Sequence, residues 1–428
     1  MRISRAAFVF ICAVVALPAS PQTASPSGED FKVTLRTAYL ALVQESIVPA
    51  DPRTIATAAL EVMSPSIALP TGFGADARRD AEWLSAQASG VVAPWDTINA
   101  MARAAATAHV GLVTPGLRRG MRALGGGRPL STPGFGVHRL NDGRTVVIDV
   151  IRGGSAELSG LRAGDVLTRI GDERVARQST VVMPLIARAA GDLVLLEIER
   201  DRKAMRIELR LVDANQSSVD SRLLDDGLAY VRIRWFSQSD DPMRDTASLA
   251  RAAFKSLAEQ GARGLVLDLR SALGGIGDVA VASALADGEV VYYLQQPMTQ
   301  PPEPVRRKGA RVWPERPIVL LVNEQTISAG EALALSLREL THCLIVGRTT
   351  AGGLTEFSAV KLSAEYALIV PTGHVLGPVT RADLPGHAVR PDIELQNADV
   401  DDLVHGRDPQ LQAARSAVED AIKAQLKR

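Results

Sequence analysis

The residues best suited to chemistry surround a serine in Asn323-Glu-Gln-Thr-Ile-Ser328-Ala329-Gly-Glu331. The apolar run Pro317-Ile-Val-Leu-Leu-Val322 predicts a buried strand. The segment 331–340, with apolar residues three and four apart, predicts an amphipathic helix. Ser328 therefore falls where strand becomes helix. Free backbone N–H groups and the positive end of the helix dipole converge there, so its hydroxyl is a candidate nucleophile with an oxyanion site beside it. Ser328-x-x-Glu331 equally spells a capping box, in which both side chains satisfy orphan amides, and the two roles need not exclude one another. A second loop, Gly274-Gly275, closes the apolar stretch Gly264-Leu-Val-Leu-Asp-Leu-Arg270. It reads either as a tight turn or as a further source of amide donors. No His-Glu-x-x-His and no Gly-x-x-x-x-Gly-Lys-Thr occurs, so neither a metal nor another cofactor is expected.

The elements that must position these groups belong to a chain of 428 residues, long enough for several cores. Met1-Arg-Ile-Ser-Arg5 followed by an apolar run from Ala6 to Ala19 predicts a secretory signal over residues 1–24, and hence a secreted or periplasmic protein. No second segment is apolar enough to span a bilayer, so no integral span is expected once the signal is removed. Cys12 lies within the signal, leaving Cys343 in a buried-strand pattern with no internal disulfide partner. The 48 basic and 48 acidic side chains balance, which argues against nucleic acid as a partner.

Few aromatics and many Ala, Val, Leu and Gly residues suit an α/β multidomain protein. Residues 30–125 carry helical periodicity in Thr34-Leu-Arg-Thr-Ala-Tyr-Leu and Trp95-Asp-Thr-Ile-Asn-Ala-Met. After a Gly-rich linker at 125–127, residues 131–213 show short strands and a helix near 181–190. Residues 221–398 alternate strands and helices in the rhythm of βα units, and a charged helix occupies 400–428. His342 is expected at a strand start and His405 in a surface turn; His138 and His374 stand without supporting context.

Gly134-Phe135-Gly136-Val137, followed by Ser155-Ala-Glu-Leu-Ser-Gly-Leu-Arg-Ala-Gly-Asp165-Val, resembles a PDZ domain. The glycines let a loop present successive N–H groups to a peptide's terminal carboxylate, and the adjoining strand edge accepts an extended peptide. Phe135 and Val137 would line the peptide pocket, or serve as ordinary core residues.

A PDZ domain ahead of Val266-Leu-Asp-Leu-Arg270-x-x-x-Gly274-Gly275 and Asn323-Glu-x-x-x-Ser328-Ala-x-Glu331 resembles the carboxyl-terminal processing peptidases (S41-type) and their tricorn and interphotoreceptor retinoid-binding relatives. The resemblance implies a peptidase core of crotonase/ClpP-like α/β fold, with Ser328 as nucleophile. The oxyanion hole would come from the N–H of Ala329 and a glycine N–H of Gly274-Gly275. Substrates would be proteins or peptides with free carboxyl termini, captured by the PDZ domain. The processing peptidases' lysine is missing, because Gly353 stands in its place and Arg348 is no general base. The tricorn-like branch draws a histidine from before the PDZ domain, which carries over to His109 as base. That branch's glutamate falls on Pro385; Asp383 is the nearby carboxylate able to orient an imidazole, and His387 is a rival base. The alternative is a catalytically inactive relative in which the PDZ groove binds peptides and the core is scaffold.

Overall fold

The computed structural model describes residues 28–88, 91, 94–105, 110–114, 133–171, 173–175, 191–212, 217–296 and 301–427. The expected signal at 1–24, the linker at 125–127, the helix at 181–190 and His109 lie outside them. The chain forms two compact units. One is drawn from residues 1–118, 296–301 and 355–374, the other from 119–295, 302–354 and 375–428.

In the first unit, helices α1 (Gly28–Leu40), α2 (Pro52–Met63), α3 (Ala77–Ala86) and α4 (Pro94–Ala104) follow the periodicity of the sequence. Asp51 caps α2 by accepting from the Thr54 N–H at 2.8 Å, with Pro52 at the first helical position; Asp76 caps α3. Their apolar stripes meet in one core built on Phe31, Leu35, Ile55, Leu84, Ile98 and Met101. A short strand β1 (Gly111–Val113) pairs Gly111 with Ile369. Trp95 stacks on Tyr366 at 3.8 Å between ring centroids.

The second unit opens with an antiparallel sheet. Its strands are β2 (Phe135–Arg139), β3 (Thr145–Val150), β4 (Val166–Ile170), β5 (Glu173–Arg174), β6 (Leu193–Arg200) and β7 (Lys203–Arg210), ordered β2-β3-β4-β6-β7 with β5 on β4. A one-turn helix α5 (Ser155–Leu158) covers it. Asp165 is tied to the Arg200 guanidinium at 2.6 Å, which fixes the turn into β4.

The α/β part follows as β8 (Val219–Leu223), β9 (Ala229–Ile233), α6 (Thr246–Glu259), β10 (Leu265–Asp268), α7 (Asp278–Leu285), β11 (Val290–Gln295), β12 (Glu303–Arg306), β13 (Ile318–Val322), α8 (Ala329–Thr341) and β14 (Leu344–Gly347). β15 (Thr355–Lys361) and residues 367–374 of β16 (Ala367–Leu376) belong to the first unit, and β17 (Ile393–Glu394), α9 (Val400–Val404) and α10 (Pro409–Gln425) complete the second. One sheet runs β17-β14-β13-β10-β9-β8, parallel except for β8. Its central strands β10 and β13 are buried along their whole length, as their unbroken apolar runs require. His342 does not start a strand. It closes α8 with a left-handed φ of 54°, and β14 begins two residues later. Cys343 is buried, and burial pushes its thiol up to about 11, consistent with an inert core residue. Among the described residues no helix is long and apolar enough to cross a membrane.

Candidate active site

Ser328 is the N-cap of α8, at the end of a turn that leaves β13. The turn is stitched to the strand beside it. Thr326 Oγ1 donates to the Leu269 carbonyl at 2.8 Å and accepts from the Asn323 N–H at 3.0 Å. Asn323 Oδ1 accepts from the N–H groups of Ser271 (2.8 Å) and Gln325 (3.1 Å), and the Ile327 N–H reaches the Ala272 carbonyl at 3.1 Å. Held in this way, Ser328 takes φ 57° and ψ −117°, a conformation that costs a side-chain-bearing residue roughly 1–3 kcal/mol. Such strain persists only where surrounding bonds over-determine it, and here they do.

The glycine loop lies against this serine. A methyl group built on Gly274 would stand 3.4 Å from Ser328 Oγ and 2.8 Å from its Cβ. Gly275, at φ 122°, has no room at all, since an added Cβ would meet the Phe236 carbonyl oxygen at 1.9 Å. The Phe236 N–H donates to the Gly274 carbonyl at 2.8 Å, which fixes the loop's height. The structure thus brings together Ser328, Ala329, Gly274 and Gly275, two separate stretches of backbone around one hydroxyl. The loop springs from a buried ionic anchor, in which Arg270 contacts Asp268 and Asp408, each at 2.7 Å. Burial opposes ionisation of Asp268, but the Arg270 and Arg232 charges hold it below the usual carboxylate range.

Glu331 does more than its cap. Its carboxylate is buried and accepts from the N–H groups of Ser328 (2.8 Å), Gly352 (2.9 Å) and Gly353 (2.8 Å), as well as from the Thr350 hydroxyl. Thr350 Oγ1 in turn accepts from the Val389 N–H at 2.8 Å, so its proton is directed at Glu331. Burial outweighs these donors and pushes the carboxyl up to about 7. The segment holding Gly353 is therefore pinned to the serine turn by the Glu331 side chain and by the Ala351 N–H, which donates to the Thr326 carbonyl at 3.0 Å. The Ser328–Glu331 spacing is visible in the sequence; the partners at 350, 352 and 353, about twenty residues downstream, are not.

Asp383 Oδ1 lies 3.2 Å from His387 Nδ1, and the His387 carbonyl accepts from the Leu354 N–H at 3.0 Å. Pro385 opens the 3₁₀ turn that carries His387. Asp383 thus faces an imidazole in the segment next to Gly353. Lys361 is exposed on β15.

The peptide groove expected along Gly134-Phe135-Gly136-Val137 borders a small pocket. Phe135 and Val137 are buried and belong to the domain's own core as well as to the pocket wall. The strand edge beside them is not open. The Val137 carbonyl accepts from the Ser271 hydroxyl, the Arg139 N–H donates to the Glu324 carboxylate, and the Arg139 carbonyl accepts from Asn397 Nδ2 at 2.8 Å. Residues two apart present their groups to one edge, so these are groups that an added strand would use.

His138, between them in β2, is buried with Nε2 2.7 Å from the Ala398 carbonyl. Burial, aided by the nearby Arg270 and Arg348 charges, lowers the imidazole to about 4. The folded state thus refuses a proton that the unfolded chain takes up below about pH 6.5. Stability from this group is present above that pH and is lost on acidification towards pH 4, by up to about 3 kcal/mol. His138→Gln keeps an N–H donor without titrating. Urea titrations should show the wild type's advantage over it shrinking across that window; a constant difference would contradict the assignment.

Residues 227–395 match the family model "Peptidase family S41", and residues 133–211 match "PDZ domain". The chain carries an S41-family peptidase domain and a PDZ domain. It is 30% identical over 300 residues to the chloroplastic C-terminal processing peptidase of Tetradesmus obliquus, covering 64% of this chain and 62% of that one. It is 26% identical over 267 residues to the carboxy-terminal processing protease CtpA of Bacillus subtilis, covering 58% and 56%. The chain thus spans less than two thirds of the length of these curated relatives. Among solved structures, the photosystem II D1 C-terminal processing protease superposes with TM-score 0.54 at 22% identity, over 87% of this chain and 94% of that one. Mature CPAF complexed with lactacystin gives 0.53 at 12%, over 93% and 98%. These two likenesses are of fold. The S41 domain holds the serine turn and the glycine loop; the PDZ domain holds the groove.

Proposed function

We propose that this protein is a serine peptidase that cleaves protein or peptide substrates captured by their carboxyl termini through the PDZ domain, with Ser328 as nucleophile. The observation that carries the reading is the strained Ser328 at the head of α8, with Gly274 against its hydroxyl. Ser328 Oγ attacks the scissile carbonyl carbon as its proton passes to a base. The oxyanion develops towards the N–H of Ala329 and a glycine N–H of Gly274-Gly275, donors that need no reorganisation. Collapse of the intermediate returns the proton to the leaving amine, and water then hydrolyses the acyl-enzyme. The base in this reading is His109, from the stretch before the PDZ domain, and Asp383 is the candidate orienting carboxylate. Residues 1–24 direct export, placing the peptidase in the periplasm or outside the cell.

The test is turnover of a disordered reporter chain with a free carboxyl terminus. Ser328→Ala should lower the rate by about 10³-fold or more, and His109→Ala by about 10²-fold or more, without loss of fold. His387→Ala should retain most activity. Full activity in folded Ser328→Ala would refute the nucleophile. Peptide binding by a wild type that shows no turnover would instead establish the inactive relative.

A further inference from the structure

The pocket beside Gly134-Phe135-Gly136-Val137 is closed on its far side not by the PDZ sheet but by the peptidase domain, through Arg232 on β9 and Arg234 just beyond it. These arginines already handle one carboxylate. Asp149 Oδ1 lies 3.1 Å from the Gly136 N–H and 3.0 Å from Arg232 Nη2, and its Oδ2 lies 3.2 Å from Arg234 Nη2. An amide of the glycine loop and two guanidiniums thus converge on a carboxylate at the mouth of the groove. Arg234 also holds the rim carboxylate of Asp220 at 2.8 Å, which is 59% exposed.

Donor capacity remains. The Nε–H groups of both Arg232 and Arg234 are buried and have no hydrogen-bond partner among the described residues, although the Arg232 side chain is only 8% exposed. A buried guanidinium N–H left unmatched is costly, so a site that leaves two of them beside a pocket is short of an acceptor. The pocket wall adds Ile151, Trp235 and Leu273, which suit an apolar terminal side chain. A methyl group at Gly136 would lie 2.4 Å from Asp149 Oδ1 and 3.1 Å from Arg232 Nη2, so a larger residue there displaces these side-chain ends. Beyond it, the edge of β2 is engaged by Ser271, Glu324 and Asn397, so in this arrangement a peptide finds acceptor-seeking groups only at its last residue.

Resting on the reading of the PDZ domain as a carboxyl-terminus receptor, we propose that the peptidase domain completes that receptor. The terminal carboxylate of a captured peptide with an apolar last residue is held jointly by the glycine-loop amides and by Arg232 and Arg234, sharing the guanidinium donors with Asp149. The ligand site is composite, and the charge that distinguishes a free carboxyl terminus comes from the S41 domain. Two planar guanidiniums suit this role because they offer several donors in fixed geometry to a planar carboxylate.

The experiment uses the full chain carrying Ser328→Ala, so that bound peptide is not consumed. A fluorescent ten-residue peptide ending in alanine or valine is titrated as the free acid and as the carboxyl-terminal amide. The acid should bind at least about tenfold more tightly than the amide. Adding Arg234→Gln should remove most of that preference by weakening the acid alone, and Arg234→Lys should restore part of it. Arg232→Lys, which keeps the buried charge but loses the fork, gives an independent reading in the same direction. If all three variants keep the wild-type preference, the arginines are not part of the site, and carboxyl-terminus capture by the PDZ domain alone stands. If the starting protein binds acid and amide equally or not at all, the receptor reading and this inference both fall.

Discussion

Glu331→Ala is expected to destabilise the folded protein by at least about 1 kcal/mol, and by about 5 kcal/mol at the middle of the range, and to abolish peptidase turnover. The substitution strips the acceptor from three N–H groups, that of Gly353 buried and those of Ser328 and Gly352 half-buried, and from the buried Thr350 hydroxyl at once. Each unsatisfied group costs roughly 1–3 kcal/mol. Relief from burying a carboxyl pushed from 4.5 up to about 7 returns only roughly 3 kcal/mol of this. The loss of donor partners therefore dominates. Above pH 7, where the folded carboxyl is ionised, Glu331→Gln should recover little, since its amide nitrogen would face N–H donors where the carboxylate offered an oxygen. Between pH 4.5 and 7 the folded carboxyl retains a proton that the unfolded chain has released, so this group's contribution to stability falls as pH rises through that window. Glu331→Gln should lose that slope. Urea unfolding of the two variants beside the wild type measures all of this, and a Gln variant with wild-type stability and turnover would show that the four contacts are not what holds the serine turn.

Gly275→Ala should destabilise by about 3 kcal/mol and reduce turnover by about 10²-fold or more. Both obstacles are backbone. The added Cβ meets the Phe236 carbonyl oxygen at 1.9 Å and its carbon at 2.8 Å, and φ 122° is a region that side-chain-bearing residues rarely adopt. No rotamer change relieves a clash with a main chain that is itself bonded to the loop at Gly274 and Ile276. The loop must lift, which takes Gly274 away from Ser328 and the oxyanion donors out of position. Thermal unfolding and steady-state turnover of the variant separate the two effects. A stable Gly275→Ala protein with unchanged turnover would remove the loop from the mechanism.

The serine turn was legible because strong local signals agree there. An unbroken apolar run gave a strand that forms at Ile318–Val322, and the Ser328-x-x-Glu331 spacing marked a helix that forms at Ala329–Thr341. The Gly274-Gly275 loop was legible through its glycines, whose positive φ values of 75° and 122° explain why no other residue serves. What escaped depends on partners far apart in sequence. The sign of φ at Ser328 is imposed by Thr326 and Asn323 bonding to residues 269–272, more than fifty positions upstream. The engaged edge of β2 was unreadable for the same reason. Val137 meets Ser271 and Arg139 meets Glu324 and Asn397 across 134 to 258 residues, so a strand expected to be open to a peptide is met by core side chains. Arg232 and Arg234 alternate with apolar residues in the sequence, and no motif marks them. Only the packing of the PDZ sheet beside β9 turns them into the wall of a pocket.

The central claim, an activated hydroxyl at position 328, is tested most directly by labelling. The folded full-length protein is treated with a fluorophosphonate, digested, and mapped by mass spectrometry. One stoichiometric adduct is expected on the peptide containing Ser328, lost in Ser328→Ala and suppressed by prior incubation with a cleavable peptide. A folded protein that leaves Ser328 unmodified while cleaving a disordered substrate, or one that carries the adduct on a different serine, would contradict it.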